Sequence, residues 1–235
     1  MSLLRRRGVG AALRRGGPPP PGPVGDVTVA VTGTVATGNG TLSVDIPAHT
    51  AGDLLLLRAT ESQGIEIATP AGWDLVRRGN VTTSGVAVFS KTGDGSAGTV
   101  DVVLGNRGGA AQVGAYAGTE GTPAAVTSTI VQDTLFGDPL TLATGAVNVA
   151  DGDLLACLWQ RGRSGVVEPN WTLPAGMTSR AVGVNGLSTA RNWYLFADES
   201  PAAASGVTRS SLHDLTIVAE TAGHGCIAVV LRSGG

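Results

Sequence analysis

Lysine, histidine, cysteine and aromatic residues are all scarce in this 235-residue chain, and each shortage narrows what it can be. Lys91 is the one lysine among 16 basic residues, and the basic residues of the body are too sparse to make a stripe for a phosphate backbone, so no nucleic-acid partner is expected. His49, His213 and His224 sit at no spacing that would set two imidazoles around a metal. His213-Asp214 with His224 and Cys226 lacks the third group that a metal or nucleophile constellation needs, and neither metal nor cofactor is expected. Two cysteines are too few for a disulfide framework, and Cys157 reads as a small buried hydrophobe in its reduced state. No segment approaches the roughly 18 consecutive apolar residues of a membrane-spanning helix, and the short apolar stretch before Arg14 does not make a signal peptide, so no membrane insertion is expected. A nucleophile elbow, a P-loop and a dinucleotide fingerprint are all missing, and the Gly-rich run 105–109 leads into no helix, so the chain reads as a non-enzyme.

What the chain has in excess is glycine, 36 residues, and repetition. Gly52-Asp53-Leu54-Leu55 returns as Gly152-Asp153-Leu154-Leu155, Pro70-Ala71-Gly72 as Pro174-Ala175-Gly176, and Val88-Phe89 as Leu195-Phe196. The separation grows from 100 to 104 to 107 residues, so the second copy has gained residues between the matched blocks, as loops do. Copy one also explains away a calcium loop at Asp151-Gly152-Asp153: Ala51-Gly52-Asp53 stands in the same place, so the turn needs Gly-Asp and not a metal. By the same comparison Trp73 and Met177 are large apolar plugs, and Phe89 and Phe196 are core residues that match each other.

Short aliphatic or alternating runs bounded by Gly, Asp, Asn or Pro predict strands at 27–31, 41–46, 53–57, 86–89, 100–104 and 111–116, and again at 126–131, 141–149, 154–159, 193–196, 215–218 and 227–231. No helical period persists for three turns. The fold class predicted is all-β: two tandem antiparallel β-sandwiches, jelly-roll-like, from an internal duplication, with repeat 1 at 26–121, repeat 2 at 122–235 and the join in the turn-rich segment 118–123.

Residues 1–25 differ from the rest. They hold five arginines and no acid, while eleven basic against eighteen acidic residues leave the body at −7. The run Pro18 to Pro21 favours an extended polyproline strut. With no core of its own, this arm reads as a docking element in which Leu3, Leu4, Arg5, Arg6, Arg7, Leu13, Arg14 and Arg15 meet a partner. In repeat 2, Trp159 and Trp171 answer Ala59 and Ile67, and the segment between them is four residues longer. Trp159, Arg161, Arg163 and Trp171 are therefore the expected contacts for a host-surface glycan or receptor, flat rings for stacking and guanidinium groups for hydrogen bonds, against the plainer reading of two core tryptophans flanking a turn.

The run Ala51-Gly52-Asp53-Leu54-Leu55, then 68–76 with Pro70-Ala71-Gly72-Trp73, then 86–91, then Gly114-Ala115-Tyr116-Ala117-Gly118, resembles a group of tandem β-sandwich virion and tail proteins of tailed bacteriophages and gene transfer agents. Pro174-Ala175-Gly176-Met177-Thr178 carries the likeness into the second half, and the arm is a departure from it. The resemblance implies a non-enzymatic structural protein on the surface of a phage-like particle, a tail fibre or receptor-contacting appendage. It would be bound to other virion proteins through the arm and be a homotrimer by analogy with such fibres. A head decoration protein, and a carbohydrate-binding or adhesin module outside any virion, are the alternatives.

Overall fold

The computed structural model describes residues 25–135, 140–163, 170–187, 190–214 and 220–234, and among them every regular element is a strand. Repeat 1 supplies β1 (Thr28–Thr32), β2 (Ala36–Gly38), β3 (Thr41–Ile46), β4 (Leu54–Glu61), β5 (Asp74–Val81), β6 (Ser84–Thr92), β7 (Gly98–Val103) and β8 (Gly109–Ala117). Repeat 2 supplies β9 (Thr119–Leu135), β10 (Leu140–Ala143), β11 (Val147–Val149), β12 (Leu154–Arg163), β13 (Asn170–Thr172), β14 (Thr178–Leu187), β15 (Ala190–Glu199), β16 (Ala204–Val207), β17 (Ser210–Asp214) and β18 (Glu220–Ser233).

The duplication is written into the sheet order. The large sheet of repeat 1 runs β1-β8-β4-β6-β5, with β2 also on β8, and that of repeat 2 runs β9-β18-β12-β15-β14, which is the same order of corresponding strands. The outer face of the first is covered by β3-β7, and that of the second by β10-β17-β13 and β11-β16.

Alternation along β4 shows why its sequence is almost wholly apolar. Leu55, Leu57 and Ala59 face the interior of sandwich 1 with Val44, Phe89 and Val102, whereas Leu54 and Leu56 face the other way, into a core shared with Leu154, Leu158, Phe196, Ile227, Val229 and Leu231 of repeat 2. Leu155, Cys157 and Trp159 face a third core, inside sandwich 2. The two large sheets thus stack face to face, each buried on both sides, and a strand so placed needs apolar residues at every position rather than at alternate ones. At about 1.5–3 kcal/mol per buried aliphatic side chain, the shared core is as much a part of the fold as either sandwich interior.

The contacts across this stack are reciprocal: β6 packs on β12 and β15 on β4. Ser84 Oγ bonds Gln160 Oε1, and at the equivalent place Asn192 Nδ2 donates to Thr60 Oγ1 at 2.9 Å. Such i-to-j, j-to-i pairing is the signature of an approximate two-fold axis, so the chain folds like a homodimer fused end to end.

Matched turns sit at one pole. Thr50 N donates to Asp53 Oδ2 at 2.9 Å and Ala150 N to Asp153 Oδ2 at 2.8 Å, with Gly52 and Gly152 at φ +96° and +82°. The aspartates close the turns, and the glycines supply a backbone conformation that other residues adopt only with strain. Trp73 and Met177, buried just after the two Pro-Ala-Gly turns, each bond back to the proline carbonyl at 3.2 Å.

Several sequence expectations need adjustment. Register pairs Leu57 with Phe89 but Cys157 with Ala197, so Phe89 corresponds to Ala197, and Phe196 corresponds to Val88. The two phenylalanines therefore face different cores; one extra residue before β15 flips the side-chain parity. The run 141–149 is two strands rather than one, and 215–218 lies outside the described residues. The join is tighter than the segment 118–123, because Gly118 alone makes the bend and Thr119 already begins β9.

Candidate functional site

Three polar groupings stand out against this apolar stack, and the first lies in the seam between the sheets. Arg58, in the middle of β4, points into the shared core and donates through Nη1 to Asp198 Oδ1 on β15 at 2.8 Å, with both side chains essentially fully buried. Arg180 Nε reaches Oδ2 of the same aspartate at 2.9 Å, and the Tyr116 hydroxyl donates to it at 3.1 Å. Gln112 accepts from Arg58 and donates to Gly33 O and Arg180 O. Burial first, together with the adjacent carboxylate, pushes the Tyr116 phenol well above its usual range, which keeps it a donor.

This network opens on a cleft of about 260 Å³ lined by Val27, Thr28, Val29, Thr178, Arg180 and Asp198. Its counterpart across the pseudo-two-fold is a cleft of about 280 Å³ lined by Leu75, Val76, Ser90, Pro123, Ala125 and Val126. Register makes Ser90 the counterpart of Asp198, since Leu56 and Ala156 are their partners, and Val76 and Arg180 are the corresponding bulge residues. One side of the seam is charged and the other apolar. Neither cleft aligns a nucleophile with a base, and what the charged groups do to one another is hold two sheets together.

The second grouping closes the far pole of the seam. Gln160 Nε2 donates to Glu61 O and to Asn192 Oδ1, both at 3.0 Å, and Asn192 Nδ2 donates to Asn185 Oδ1 at 3.2 Å. Glu61 itself turns into sandwich 1. Its Oε2 accepts from Gln63 N at 2.6 Å, while Oε1 is buried with no hydrogen-bond partner, and burial raises the carboxyl to about 7 against the pull of the backbone N–H groups of the 63–65 turn.

The third grouping contains the residues singled out in repeat 2. Arg161, the counterpart of Glu61, meets His213 Nδ1 through Nη1 at 2.9 Å; because a guanidinium only donates, that ring nitrogen is the acceptor. The His213 ring lies 4.4 Å from Trp171 and 5.9 Å from Trp193. Trp159 is 0% exposed and Arg161 is buried, both on β12, whose pairing with β15 and β18 carries the strand on through Gln160 to Arg163 where a lengthened loop was expected. Interior rings of this kind offer no face to a ligand, and only Trp171 of the pair is half-buried. Arg163 ends the strand, and its side chain lies outside the described residues, as do Leu3, Leu4, Arg5, Arg6, Arg7, Leu13, Arg14 and Arg15.

Sequence reading missed the seam network, although it left a trace: Arg58 is a lone charge inside Leu54-Leu55-Leu56-Leu57-Arg58-Ala59, and a cation in a doubly buried strand needs a buried anion. Among the described residues no three His, Cys, Asp or Glu side chains group to hold a metal ion, and Cys157 and Cys226 are free and buried, their thiols pushed upward by burial. No family model, curated protein or solved structure matches the chain.

Proposed function

We propose that the chain is a structural protein of a phage-like particle, a tail fibre or receptor-contacting appendage docked to other virion proteins through its N-terminal arm. The observation that carries this reading is polarity. Gly25 leads into β1 beside the Gly-Asp turns, with Val27 N bonded to Gly152 O at 2.8 Å, and the chain's last described residue returns to the same pole through Gly234 N to Gly118 O at 2.8 Å. The far ends of β4 and β12, with Arg161, His213 and Trp171, lie at the opposite pole. A basic arm leaving one pole and a polar, Trp-bearing pole at the other suit a body that is held at one end and presented at the other. A glycan or receptor contact then falls near Trp171, and the copies gather as a trimer around a particle axis.

Among the described residues the three cores are built from Val27 onward, and deleting residues 1–25 is expected to leave the thermal unfolding of the body unchanged and to abolish its incorporation into particles. Replacing Arg5, Arg6, Arg7, Arg14 and Arg15 by Ser acts in the same direction, and the docking that remains depends less on salt. A truncated chain that assembles at wild-type occupancy overturns the proposal.

A further inference from the structure

We infer that Arg58 and Asp198 decide which sheet pairs with which, so that repeat 1 stacks on repeat 2 and like does not stack on like. The two large sheets have the same strand order and an apolar inner face apiece, and a pseudo-two-fold interface of this kind offers no geometric reason for a repeat 1 sheet to avoid another repeat 1 sheet. Many copies folding side by side present that choice directly.

The seam removes the degeneracy through positions that correspond but differ. Arg58 corresponds to Leu158, Tyr116 to Leu231 and Ser90 to Asp198. Stacking repeat 1 on repeat 1 sets the buried guanidinium of Arg58 toward Ser90, with no carboxylate. Stacking repeat 2 on repeat 2 sets Leu158 toward Asp198, which keeps Arg180 from its own repeat but loses both Arg58 and the Tyr116 donor. Only the unlike pairing joins Arg58 to Asp198 and, at the equivalent place, puts Leu158 with Ser90. A buried charge without its partner is heavily penalised, whereas replacing both members by an apolar and a small residue is close to neutral, so the network acts chiefly by excluding the wrong pairings.

Two single substitutions in the full-length chain recreate the wrong pairings without changing the connectivity. Arg58→Leu sets Leu opposite Asp198, as repeat 2 against itself would, with the Tyr116 donor kept, and Asp198→Ser sets Arg58 opposite Ser, as repeat 1 against itself would; together they give Leu with Ser, the combination that the pseudo-two-fold sets at the equivalent place. In urea unfolding, each single variant is expected to lower the ratio of folded to unfolded chain roughly 100-fold or more. The double variant should stand at least tenfold above the weaker single one, because the loss is coupled across the seam. Additive losses, or single variants within about threefold of the parent, overturn the inference. If a single variant does not fold, the double variant decides alone: a folded double variant supports the coupling, and an unfolded one contradicts it.

Discussion

Leu54 and Leu55, neighbours on β4, are buried in different cores: Leu54 in the core shared by the two repeats, Leu55 in the interior of the first sandwich. The same division holds at Leu154 and Leu155 on β12. Each large sheet therefore belongs to two cores at once, and neither can lose one without exposing the apolar side chains of the other.

The chain is thus expected to unfold as one unit. Scanning calorimetry should give a single transition whose calorimetric and van't Hoff enthalpies agree. Two separated transitions would mean that the sandwiches melt independently and that the shared core is weak.

Glu61 gives the body a pH dependence of definite sign. Its carboxyl is raised from 4.5 to about 7 in the folded chain, so folding favours the protonated form. The stability this confers is fully present below pH 4.5 and is lost as pH rises through 7, a change on the order of 3 kcal/mol. Glu61→Gln keeps a neutral group of the same shape, and should flatten the dependence of the urea midpoint between pH 5 and 8 and raise stability at pH 8. A variant whose midpoint falls at pH 8 shows that the ionised carboxylate is the form the fold prefers.

The tryptophans should separate by burial. Trp159→Ala opens a cavity in the core of sandwich 2 and is expected to cost about 3–5 kcal/mol, whereas Trp171→Ala, half-buried against His213, should cost about 1–2 kcal/mol. Chemical denaturation reads both, and a larger loss at Trp171 contradicts the burial order.

The Gly-Asp turns share one closing bond, and Asp153 adds an acceptor for Ser233 N at 3.3 Å, so the loss at Asp153 should be the larger. Asp53→Ala and Asp153→Ala each remove a carboxylate that closes its turn, at about 1–2 kcal/mol apiece, and the losses should add because the turns lie in separate repeats. Denaturation of the two single variants and the double variant tests both statements.

These responses also mark how far the sequence could be read. Matched blocks such as Gly52-Asp53 and Gly152-Asp153 were legible because turn chemistry is local: a positive φ and a carboxylate three residues after the amide it accepts from leave the same signature twice. The stacking of the large sheets was not, since the run Leu54 to Leu57 says that both faces are covered without saying by what. Phe89 and Phe196 were set opposite one another because letter matching tolerates a one-residue slip that strand parity does not. Strands β5 and β14 escaped notice because they are edge strands whose polar residues, Arg77 and Arg78 or Ser179 and Arg180, hide the alternation. Arg161 looked like a loop residue because copy two is longer there, and Trp159, at the end of a predicted strand, looked like a flank of that loop; the pairing that buries both involves strands distant in sequence.

A density map of the assembled particle tests the proposed function most directly. It should place residues 1–25 against other virion proteins, with the Gly52 and Gly152 turns inward and the pole bearing Trp171 and His213 facing solvent. The reverse orientation, or an arm that touches no other virion protein, would contradict it.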